Sequence, residues 1–498
     1  MLEVPHFSAA DVDAARRRAG RLDAPWIGDA YRRSNRAARR DTLSPYDGTL
    51  LNAVELGDAA AVDAAVDAAA AALRGPWGRL DPAGRAALIR NLAQALETLR
   101  LELALLETLD VGKPILHAWN DDVPTAVGVL RWYASLVETA YDVAPSRRGG
   151  TLIQIAREPR GVIGIVLPWN YPLTTLALKL GPALAAGNTV VCKPAEDTPL
   201  TTLRLAELAI EAGLPAGVVN VVPGLGGVAG KAIGLHPGIA AINFTGSTAT
   251  GRQFLRYSAD SNLKEVSLEC GGKNPAIILD DADLARSGDE IATGFLMNSG
   301  QLCSSISRIL APRSLESPLR ALLAEKMAAW PVGDPLDPRT RIGPLVSDAH
   351  AAKVTRAIAA AAGDGLTSAA ASTGSSPRLV RPVAFFDAAT ESGLWRDEIF
   401  GPVLAVRFYD DLEEALASAN DTEYGLSAYV FGEDARRVTS LAERLDAGFV
   451  AVNAFCEGDL TTPFGGFKTS GFGGKDKGIH SLDQYARTKS IWWNAVHP

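Results

Sequence analysis

The sequence has few of the residues that build metal centres and disulfide frameworks. Its 498 residues include only six histidines and four cysteines, Cys192, Cys270, Cys303 and Cys456. The cysteines are far apart, no two form a CxxC pair, and the histidines do not cluster near them. In a long chain this spacing favours free thiols over disulfides and does not match zinc ligands. We therefore expect no metal site.

Positive net charge and long apolar segments are also missing. The formal net charge is −8, which argues against nucleic acid or an anionic membrane as the main partner. The basic run at 32–40 is short and interrupted, so we interpret it as solvated surface. No apolar run reaches ~18 residues without charge or turn residues, and the N-terminus lacks a basic-then-apolar signal pattern. These absences predict a cytoplasmic protein.

The chain is 47% hydrophobic and too long for one compact domain, so two or three domains are expected. From residue 161 onward, apolar segments of strand length alternate with helical patterns. Strands are predicted at 161–167, 189–193, 218–222, 239–244 and 264–269. Most are apolar throughout, which is typical of a buried parallel sheet in a doubly wound α/β fold. A second unit of the same alternating character begins at 274.

Polar and small residues follow these strands, at the edge where doubly wound sheets bind ligands. No GxGxxG follows the first strand, so a nucleotide would need other contacts. The small residues at 246–251 begin a helix and suit a phosphate group. Lys193 and Glu196 suit ribose hydroxyls, and Glu196 would repel a 2′-phosphate, which favours NAD over NADP. The alternative is that these are ordinary turn glycines and surface charges.

The stretch from Asn298 to Ser305 sets Cys303 among small and polar residues. Such neighbours leave room around the sulfur and let backbone N–H groups face it, as a nucleophilic thiolate requires. Taken alone, the stretch is equally compatible with an inert cysteine at the start of a helix.

Seven motifs, in order, resemble those of the NAD(P)-dependent aldehyde dehydrogenases, over about residues 24 to 495. They are PWNYP at 168–172, KPAE at 193–196, FTGS at 244–247, LECGGK at 268–273, GQLC at 300–303, EIFGP at 398–402 and PFGG at 463–466. The resemblance implies an NAD-binding domain made of 1–138 and 159–270 and a catalytic domain at 271–478. It also implies an oligomerisation arm made of 139–158 and 479–498, which would support a homodimer or homotetramer.

The resemblance implies a role for each matching residue. Cys303 would attack the aldehyde as a thiolate, and the Asn170 amide and the Cys303 backbone N–H would hold the oxyanion. Glu269 would activate water for hydrolysis of the thioester. Lys179 and Asp476 match positions used for proton exit. Asp476 is one methylene shorter than the Glu usual there, so we expect a bridging water instead of direct pairing with Lys179.

The motifs also imply a set of cofactor contacts. Glu398 and Phe400 would position the nicotinamide ribose and ring, Lys193 and Glu196 the adenosine ribose, and Ser247 the pyrophosphate. The remaining expected cofactor contacts are Pro168, Trp169 and Gly246.

Two further stretches, 121–134 and 458–463, resemble the branch that oxidises aldehydes from polyamine breakdown, such as γ-glutamylaminobutyraldehyde and aminobutyraldehyde. Asp122 and Asp459 are the candidates for attracting a substrate ammonium, with Tyr171 adding cation–π support and Cys456 at the substrate mouth. The alternative is that both aspartates are solvated surface or cap carboxylates.

Two other functions remain open at this stage. A CoA-acylating semialdehyde dehydrogenase need not activate water, so the expected base Glu269 argues against it. A catalytically idle binding homologue is disfavoured because Cys303, Glu269 and Asn170 are all present.

Overall fold

The computed structural model describes residues 3–35, 37–140, 142–144, 151–363, 367–369 and 376–494. Helices and strands alternate over most of this length. The helices are α1 (Ala9–Ala19), α2 (Ala59–Arg74), α3 (Pro82–Thr98), α4 (Arg100–Val111), α5 (Ile115–His117), α6 (Val123–Glu138), α7 (Pro172–Ala185), α8 (Leu200–Glu211), α9 (Lys231–Leu235), α10 (Thr248–Ala259), α11 (Leu284–Leu296), α12 (Glu316–Ala328), α13 (Asp348–Gly363), α14 (Gly393–Arg396), α15 (Leu412–Asn420), α16 (Ala435–Arg444) and α17 (Ser481–Gln484).

The strands form two larger sheets and two ribbons. The strands are β1 (Trp26–Ile27), β2 (Ala30–Tyr31), β3 (Arg39–Leu43), β4 (Leu50–Glu55), β5 (Thr151–Pro159), β6 (Val162–Val166), β7 (Thr189–Lys193), β8 (Val219–Val221), β9 (Ile239–Thr245), β10 (Glu265–Glu269), β11 (Asn274–Ile278), β12 (Ile306–Pro312), β13 (Thr367–Ala369), β14 (Val383–Phe386), β15 (Val403–Tyr409), β16 (Ser427–Phe431), β17 (Phe449–Val452), β18 (Gly471–Phe472) and β19 (Ala486–Asn494).

The first sheet has the strand order β18-β10-β9-β6-β7-β8-β1-β2 and the second β13-β14-β15-β12-β11-β16-β17. The central strands of both sheets are parallel. Every residue of β6 and of β7 is buried, because helices cover both faces. The predicted α/β class with a doubly wound sheet is confirmed.

Strand register brings the polar ends of the first sheet together. Val166 lies beside Lys193 on one side and Phe244 on the other, and Phe244 lies beside Leu268. The segments that follow β6, β7, β9 and β10 therefore leave the sheet at one edge. The short strand β18 pairs antiparallel with β10, with Glu269 opposite Gly471, so the chain after residue 470 also reaches this edge.

The helical pattern from Asp81-Pro82 through Leu109 predicts a single helix, but the chain breaks at Leu99 into α3 and α4. No glycine or proline marks the break. The Gly-, Ser-, Ala- and Thr-rich composition of 363–378 predicts a surface loop, which is wrong in part, since β13 pairs antiparallel with β14 there. Residues 364–366 and 370–375 of that segment lie outside the described residues.

The apolar C-terminal segment at 488–494 is typical of an edge strand that needs a partner, and pairing with 151–157 is the expectation that the structure confirms. β19 runs antiparallel to β5, from Ala486 opposite Pro159 to Asn494 opposite Thr151. Trp492 and Trp493 on this ribbon are 69% and 54% exposed. Of the predicted arm, residues 141, 145–150 and 495–498 lie outside the described residues. Within the described ranges no helix is both long and apolar enough to cross a bilayer.

Candidate active site

One cavity of about 1010 Å³ opens where the polar edge of the first sheet faces the second sheet. This volume is at the upper end of the range for ligand pockets. It brings together most of the residues singled out from the sequence. Its walls include Pro168, Trp169, Asn170, Tyr171, Lys193, Glu196, Gly246, Ser247, Glu269, Cys303, Glu398, Phe400, Cys456 and Asp476, together with Asp122.

Cys303 follows a buried segment held in an unusual conformation. Asn298, Ser299 and Gly300 all have left-handed φ angles, of 49°, 59° and 71°. Such residues cost of order 1–3 kcal/mol each when they are not glycine, so the surroundings must hold them in place. A Cβ at Gly300 would lie 2.2 Å from the carbonyl oxygen of Gly401, which requires glycine there.

Side-chain hydrogen bonds fix this turn from several directions. Gln301 donates through Nε2 to the carbonyl of Asn298 at 3.0 Å, and its Oε1 accepts from the backbone of Val346 at 3.0 Å. Ser299 Oγ donates to the carbonyl of Gly343 at 2.9 Å. These contacts position the thiol that follows the turn.

The Asn170 amide lies beside this turn. It is buried, and its Nδ2 donates one hydrogen bond to the carbonyl of Gln301 at 3.0 Å. An amide nitrogen has two hydrogens, so one N–H remains for an oxygen developing negative charge at the Cys303 sulfur. The Asn170 backbone carbonyl accepts from Asn298 Nδ2 at 3.2 Å, which ties Asn170 to the turn before Cys303.

The charge environment of Cys303 opposes ionisation in the ligand-free protein. Burial raises the pKa of the Cys303 thiol well above its usual value, and the carboxylates of Glu457, Glu398 and Glu269 raise it further. The backbone hydrogen bond with Ser304 acts in the other direction. Formation of the thiolate therefore needs a base, or a ligand that offsets nearby negative charge.

Glu269 ends β10 and is 4% exposed. By distance and angle, neither of its carboxylate oxygens has a hydrogen-bond partner within the part of the chain that the structure describes, although the backbone of Gly466 is close enough to lower its pKa. Burial raises the pKa of Glu269 well above its usual value, Asp476 raises it further, and Lys179 and Lys475 lower it. A buried carboxyl group with a raised pKa and free oxygens suits a general base that activates water.

Lys179 and Asp476 form a direct ion pair, so the prediction of a bridging water between them is wrong. Lys179 Nζ lies 3.2 Å and 3.1 Å from the two carboxylate oxygens of Asp476. The Asp476 backbone is also held in place, because Phe464 N donates to its carbonyl at 2.7 Å.

Opposite effects on the pH profile are expected from the two halves of this pair. Asp476→Asn removes a charge that raises the pKa of Glu269, so the acidic limb of steady-state activity should move to lower pH. Lys179→Met should move it to higher pH. Leaving Asp476 buried without its cation should also cost roughly 3–5 kcal/mol of stability. Profiles of kcat against pH measure the shift of the acidic limb, and unfolding in urea measures the loss of stability. Shifts in the same direction would contradict the assignment.

The residues expected to hold adenosine and pyrophosphate form a cradle of donors. Ser247 caps α10, and its Oγ accepts from Thr250 N at 3.3 Å, so the helix N-terminus faces the cavity. Lys193 Nζ lies 3.4 Å from Glu196, whose Oε1 also accepts from Gly226 N at 2.5 Å. A helix N-terminus beside a paired cation and carboxylate fits the phosphate and ribose groups of a dinucleotide.

Glu398 and Phe400 lie at the other end of this cradle. Glu398 Oε1 accepts from Gly272 N at 2.8 Å, and a Cβ at Gly271 would lie 2.2 Å from this carboxylate. Phe400 has a left-handed φ of 64°, its carbonyl accepts from His350 Nε2 at 2.7 Å, and its ring centroid lies 5.3 Å from that of Trp169. His350 was not predicted, because nothing in its helical segment distinguishes it. These residues fit the nicotinamide end of the cofactor.

The two predicted ammonium ligands differ from expectation. Asp122 lies in the cavity wall, but it is 1% exposed and its carboxylate accepts from Lys113 Nζ at 2.6 Å, so its charge is already paired. Asp459 is not among the wall residues. It is exposed, and its carboxylate accepts from the backbone of Thr461 and Thr462, which is the cap role named as the alternative.

Two other carboxylates do face the cavity without a basic partner in the described ranges: Asp121 and Glu457. Burial and then Asp122 raise the pKa of Asp121 to about 6, while Lys113 lowers it. Asp121 lies in a π-helical turn over Ala118–Asp122, which changes the face that each residue presents. Glu457 is in an irregular loop next to Cys456. In the sequence, the only indication of either carboxylate was its position next to a predicted site residue: Asp121 precedes Asp122, and Glu457 follows Cys456.

Tyr171 lies between these carboxylates and Cys303. Burial raises the pKa of Tyr171 well above its usual value, and the next causes are the negative charges of Asp122, Asp121 and Glu457. Its hydroxyl has no hydrogen-bond partner in the described part of the chain, and Lys113 Nζ lies 3.6 Å from its ring centroid. The charges that raise the pKa of the Tyr171 hydroxyl are therefore carboxylates of this part of the cavity. Across the described residues, no three His, Cys, Asp or Glu side chains are grouped as metal ligands.

Comparison with known proteins agrees with this geometry. The aldehyde dehydrogenase family profile matches residues 31–491. Aminoacetaldehyde dehydrogenase of Pseudomonas aeruginosa is 46% identical over 456 residues, 91% of this chain and 92% of the relative. The NADP/NAD-dependent aldehyde dehydrogenase PuuC of Escherichia coli is 43% identical over 454 residues, again 91% and 92% of the two chains.

A solved structure gives the same result for the fold. A mutant of AldA, an indole-3-acetaldehyde dehydrogenase of P. syringae, in complex with NAD+ and IAA, superposes with a TM-score of 0.94 at 40% identity. The match covers 98% of this chain and 100% of that one. With the family profile spanning most of the chain and relatives above 40% identity, this protein belongs to the aldehyde dehydrogenase family.

Proposed function

We propose that this enzyme oxidises a short ω-aminoaldehyde, or a γ-glutamylamino aldehyde, to the carboxylic acid, with NAD as oxidant. The observation that carries the proposal is the negative wall of the cavity beside Cys303. Asp121 and Glu457 have no basic partner within the described ranges, and the Tyr171 hydroxyl is unpaired there. An ammonium group on the substrate would complete these contacts.

The cations in the cavity wall are Lys193, Arg341, Lys353 and Lys477. Lys193 lies beside Glu196 and Lys353 donates to the carbonyl of Glu398, while Arg341 acts on His117. Lys477 Nζ donates to the backbone carbonyl of Glu457 at 2.5 Å and lies 5.0 Å from the Phe464 ring centroid. Its hydrogen bond therefore goes to the backbone of the loop. Lys113 is paired with Asp122. The name of one relative, aminoacetaldehyde dehydrogenase, is consistent with an aldehyde of this class.

The reaction follows from the arrangement of the chain's own groups. Cys303 Sγ adds to the aldehyde carbon, and the free N–H of Asn170 and the Cys303 backbone N–H stabilise the resulting oxyanion. NAD, when bound against Glu398 and Phe400, supplies the oxidant that accepts a hydride from the thiohemiacetal carbon. Glu269 takes a proton from water as that water attacks the thioester. The carboxylic acid leaves, the Cys303 thiolate is restored, and the proton exits past Asp476 and Lys179.

The choice of NAD over NADP is supported by Glu196. Its carboxylate faces the same cavity region as Lys193 and would hydrogen-bond a ribose, whereas a 2′-phosphate there would meet like charge. We also infer that 1–138 and 159–270 form the NAD-binding domain and 271–478 the catalytic domain. The ribbon of β5 and β19, with its exposed tryptophans, is the arm of a homodimer or homotetramer acting in the cytoplasm.

Substrate choice should follow the ammonium group. The enzyme should turn over 4-aminobutanal with a kcat/KM roughly tenfold or more above that of pentanal, since a charge pair in a partly solvated site contributes 1.4 kcal/mol or more. Asp121→Asn should remove part of that preference through KM. NADH formation measured by absorbance, with NAD and NADP in parallel, gives both values. Equal kcat/KM for the two aldehydes would exclude the aminoaldehyde assignment.

The same assay separates hydrolysis from acyl transfer. Added CoA should leave the rate unchanged, because Glu269 activates water at the thioester. A rate that depends on CoA, with an acyl-CoA product, would identify a CoA-acylating enzyme instead.

A further inference from the structure

Glu457 is linked to the nucleophile through a single residue. Ser304, which directly follows Cys303, donates from Oγ to Glu457 Oε1 at 2.6 Å. Ser304 is fully buried, and its carbonyl accepts from the Tyr429 hydroxyl at 2.8 Å. Consecutive Cα atoms are ~3.8 Å apart, so this carboxylate oxygen is within about 9 Å of the Cys303 Cα. Glu457 and Cys303 both line the cavity.

Among the carboxylates around the Cys303 thiol, Glu457 has the largest effect on it. After burial, Glu457 is the largest of the three carboxylate effects that raise the pKa of Cys303, ahead of Glu398 and Glu269. Glu457 also raises the pKa of Tyr171 and of Tyr429, so its charge acts on the whole neighbourhood of the sulfur. The Lys477 ammonium contacts the Glu457 loop, but it donates to the backbone carbonyls of that loop.

We propose that Glu457 is a specificity-determining residue through which a bound substrate activates the Cys303 nucleophile. Without substrate, its negative charge suppresses the Cys303 thiolate. An aminoaldehyde that binds with its ammonium on Glu457 neutralises this charge, and the thiol then loses its proton to bulk water more readily. A neutral aldehyde of the same length gives no such gain. This step rests on the proposed substrate class and adds selectivity in kcat as well as in KM.

The proposal explains why a carboxylate would be kept beside a nucleophilic thiol. A resting enzyme with a protonated thiol is protected from oxidation and from alkylation, because the thiolate is the reactive form. Ionisation is then coupled to the arrival of the correct substrate. Glu269 and Glu398 also oppose the thiolate, but their charges do not change when an amine binds at Glu457.

The test is a titration of the thiol in full-length enzyme, without NAD and without aldehyde. Thiolate is followed by its ultraviolet absorbance as the difference between each variant and the same variant carrying Cys303→Ala. Saturating ethylammonium should raise the thiolate fraction of the wild type at a given pH roughly tenfold, the order expected for one charge at this range. Ethanol at equal concentration should have no effect.

Glu457→Gln keeps the oxygen that accepts from Ser304 and removes the charge. It should show the raised thiolate fraction without any amine and should not respond to ethylammonium. Asp121→Asn is the matched control, because it removes a cavity carboxylate that is not among the largest influences on Cys303. Without ethylammonium, it should titrate like the wild type.

Either of two results would overturn the proposal: a Glu457→Gln titration that coincides with that of the wild type, or a wild-type titration that ethylammonium leaves unmoved. Loss of the aminoaldehyde preference in the kinetic panel is a separate result. It would refute the proposed substrate, whereas the amine-free difference between wild type and Glu457→Gln depends only on the two side chains.

Discussion

The Cys303→Ala variant should lose dehydrogenase activity by roughly 10⁴-fold or more, the scale seen when a covalent nucleophile is removed. No other cysteine can take its place. Cys192 is fully buried in β7, and burial raises the pKa of Cys270 to about 12. Only Cys456 shares the cavity with some exposure, and it lies in the loop beyond Glu457.

NADH formation and cofactor affinity should be measured on the same preparation of this variant. NAD binding, followed by protein fluorescence, should stay within a few-fold of wild type, because the cofactor cradle does not depend on the thiol. Cys456→Ala is the matched control: it removes a cysteine from the same cavity and should retain most of the activity. If Cys303→Ala kept its rate, or if Cys456→Ala lost it to the same degree, Cys303 would not be the nucleophile.

The residues around Cys303 could be predicted where an apolar strand ends in a polar residue. β6, β7, β9 and β10 were recognisable as buried runs, and parallel strands end at one edge. Asn170, Lys193, Ser247 and Glu269 follow those ends, so their convergence on one cavity was foreseeable from the order of the motifs alone.

Other contacts depend on geometry that has no sequence period. Lys179 and Asp476, 297 residues apart in sequence, form their direct pair through tertiary contact alone. Which aspartate faces the substrate, Asp121 or Asp122, depends on a π-helical turn that shifts the helical phase. Residues distant in sequence hold the left-handed turn before Cys303. One of them is Val346, whose backbone N–H donates to the side chain of Gln301.

The loop at 453–463 illustrates the same limit for substrate binding. It carries two carboxylates, Glu457 and Asp459, and neither periodicity nor burial pattern separates them. In the fold, Asp459 accepts from Thr461 within its own turn, while Glu457 accepts from the Ser304 hydroxyl. Only the tertiary contact gives one of them a role near the nucleophile.

A different kinetic signature is expected from Glu269→Gln. The amide keeps the size of the carboxyl group but cannot accept a proton from water, so the oxidative half of the reaction should proceed and the hydrolytic half should stall. Mixing enzyme, NAD and aldehyde should give a burst of about one NADH per active site, followed by a steady rate lowered roughly 10²- to 10⁴-fold, the usual contribution of a general base. Intact-protein mass spectrometry should detect the acyl group on Cys303 after the burst.

Two further measurements distinguish a water-activating base from a residue that acts on the thiol. Hydroxylamine attacks thioesters without needing a base, so it should restore turnover of the Gln variant and release the hydroxamate. In the wild type, the steady-state rate should fall as pH drops through the raised pKa of Glu269, because protonation removes the base. The Gln variant should lack this limb. If the burst itself disappeared, Glu269 would instead be required to form the thiolate, and the hydrolytic role assigned to its two unpartnered oxygens would be wrong.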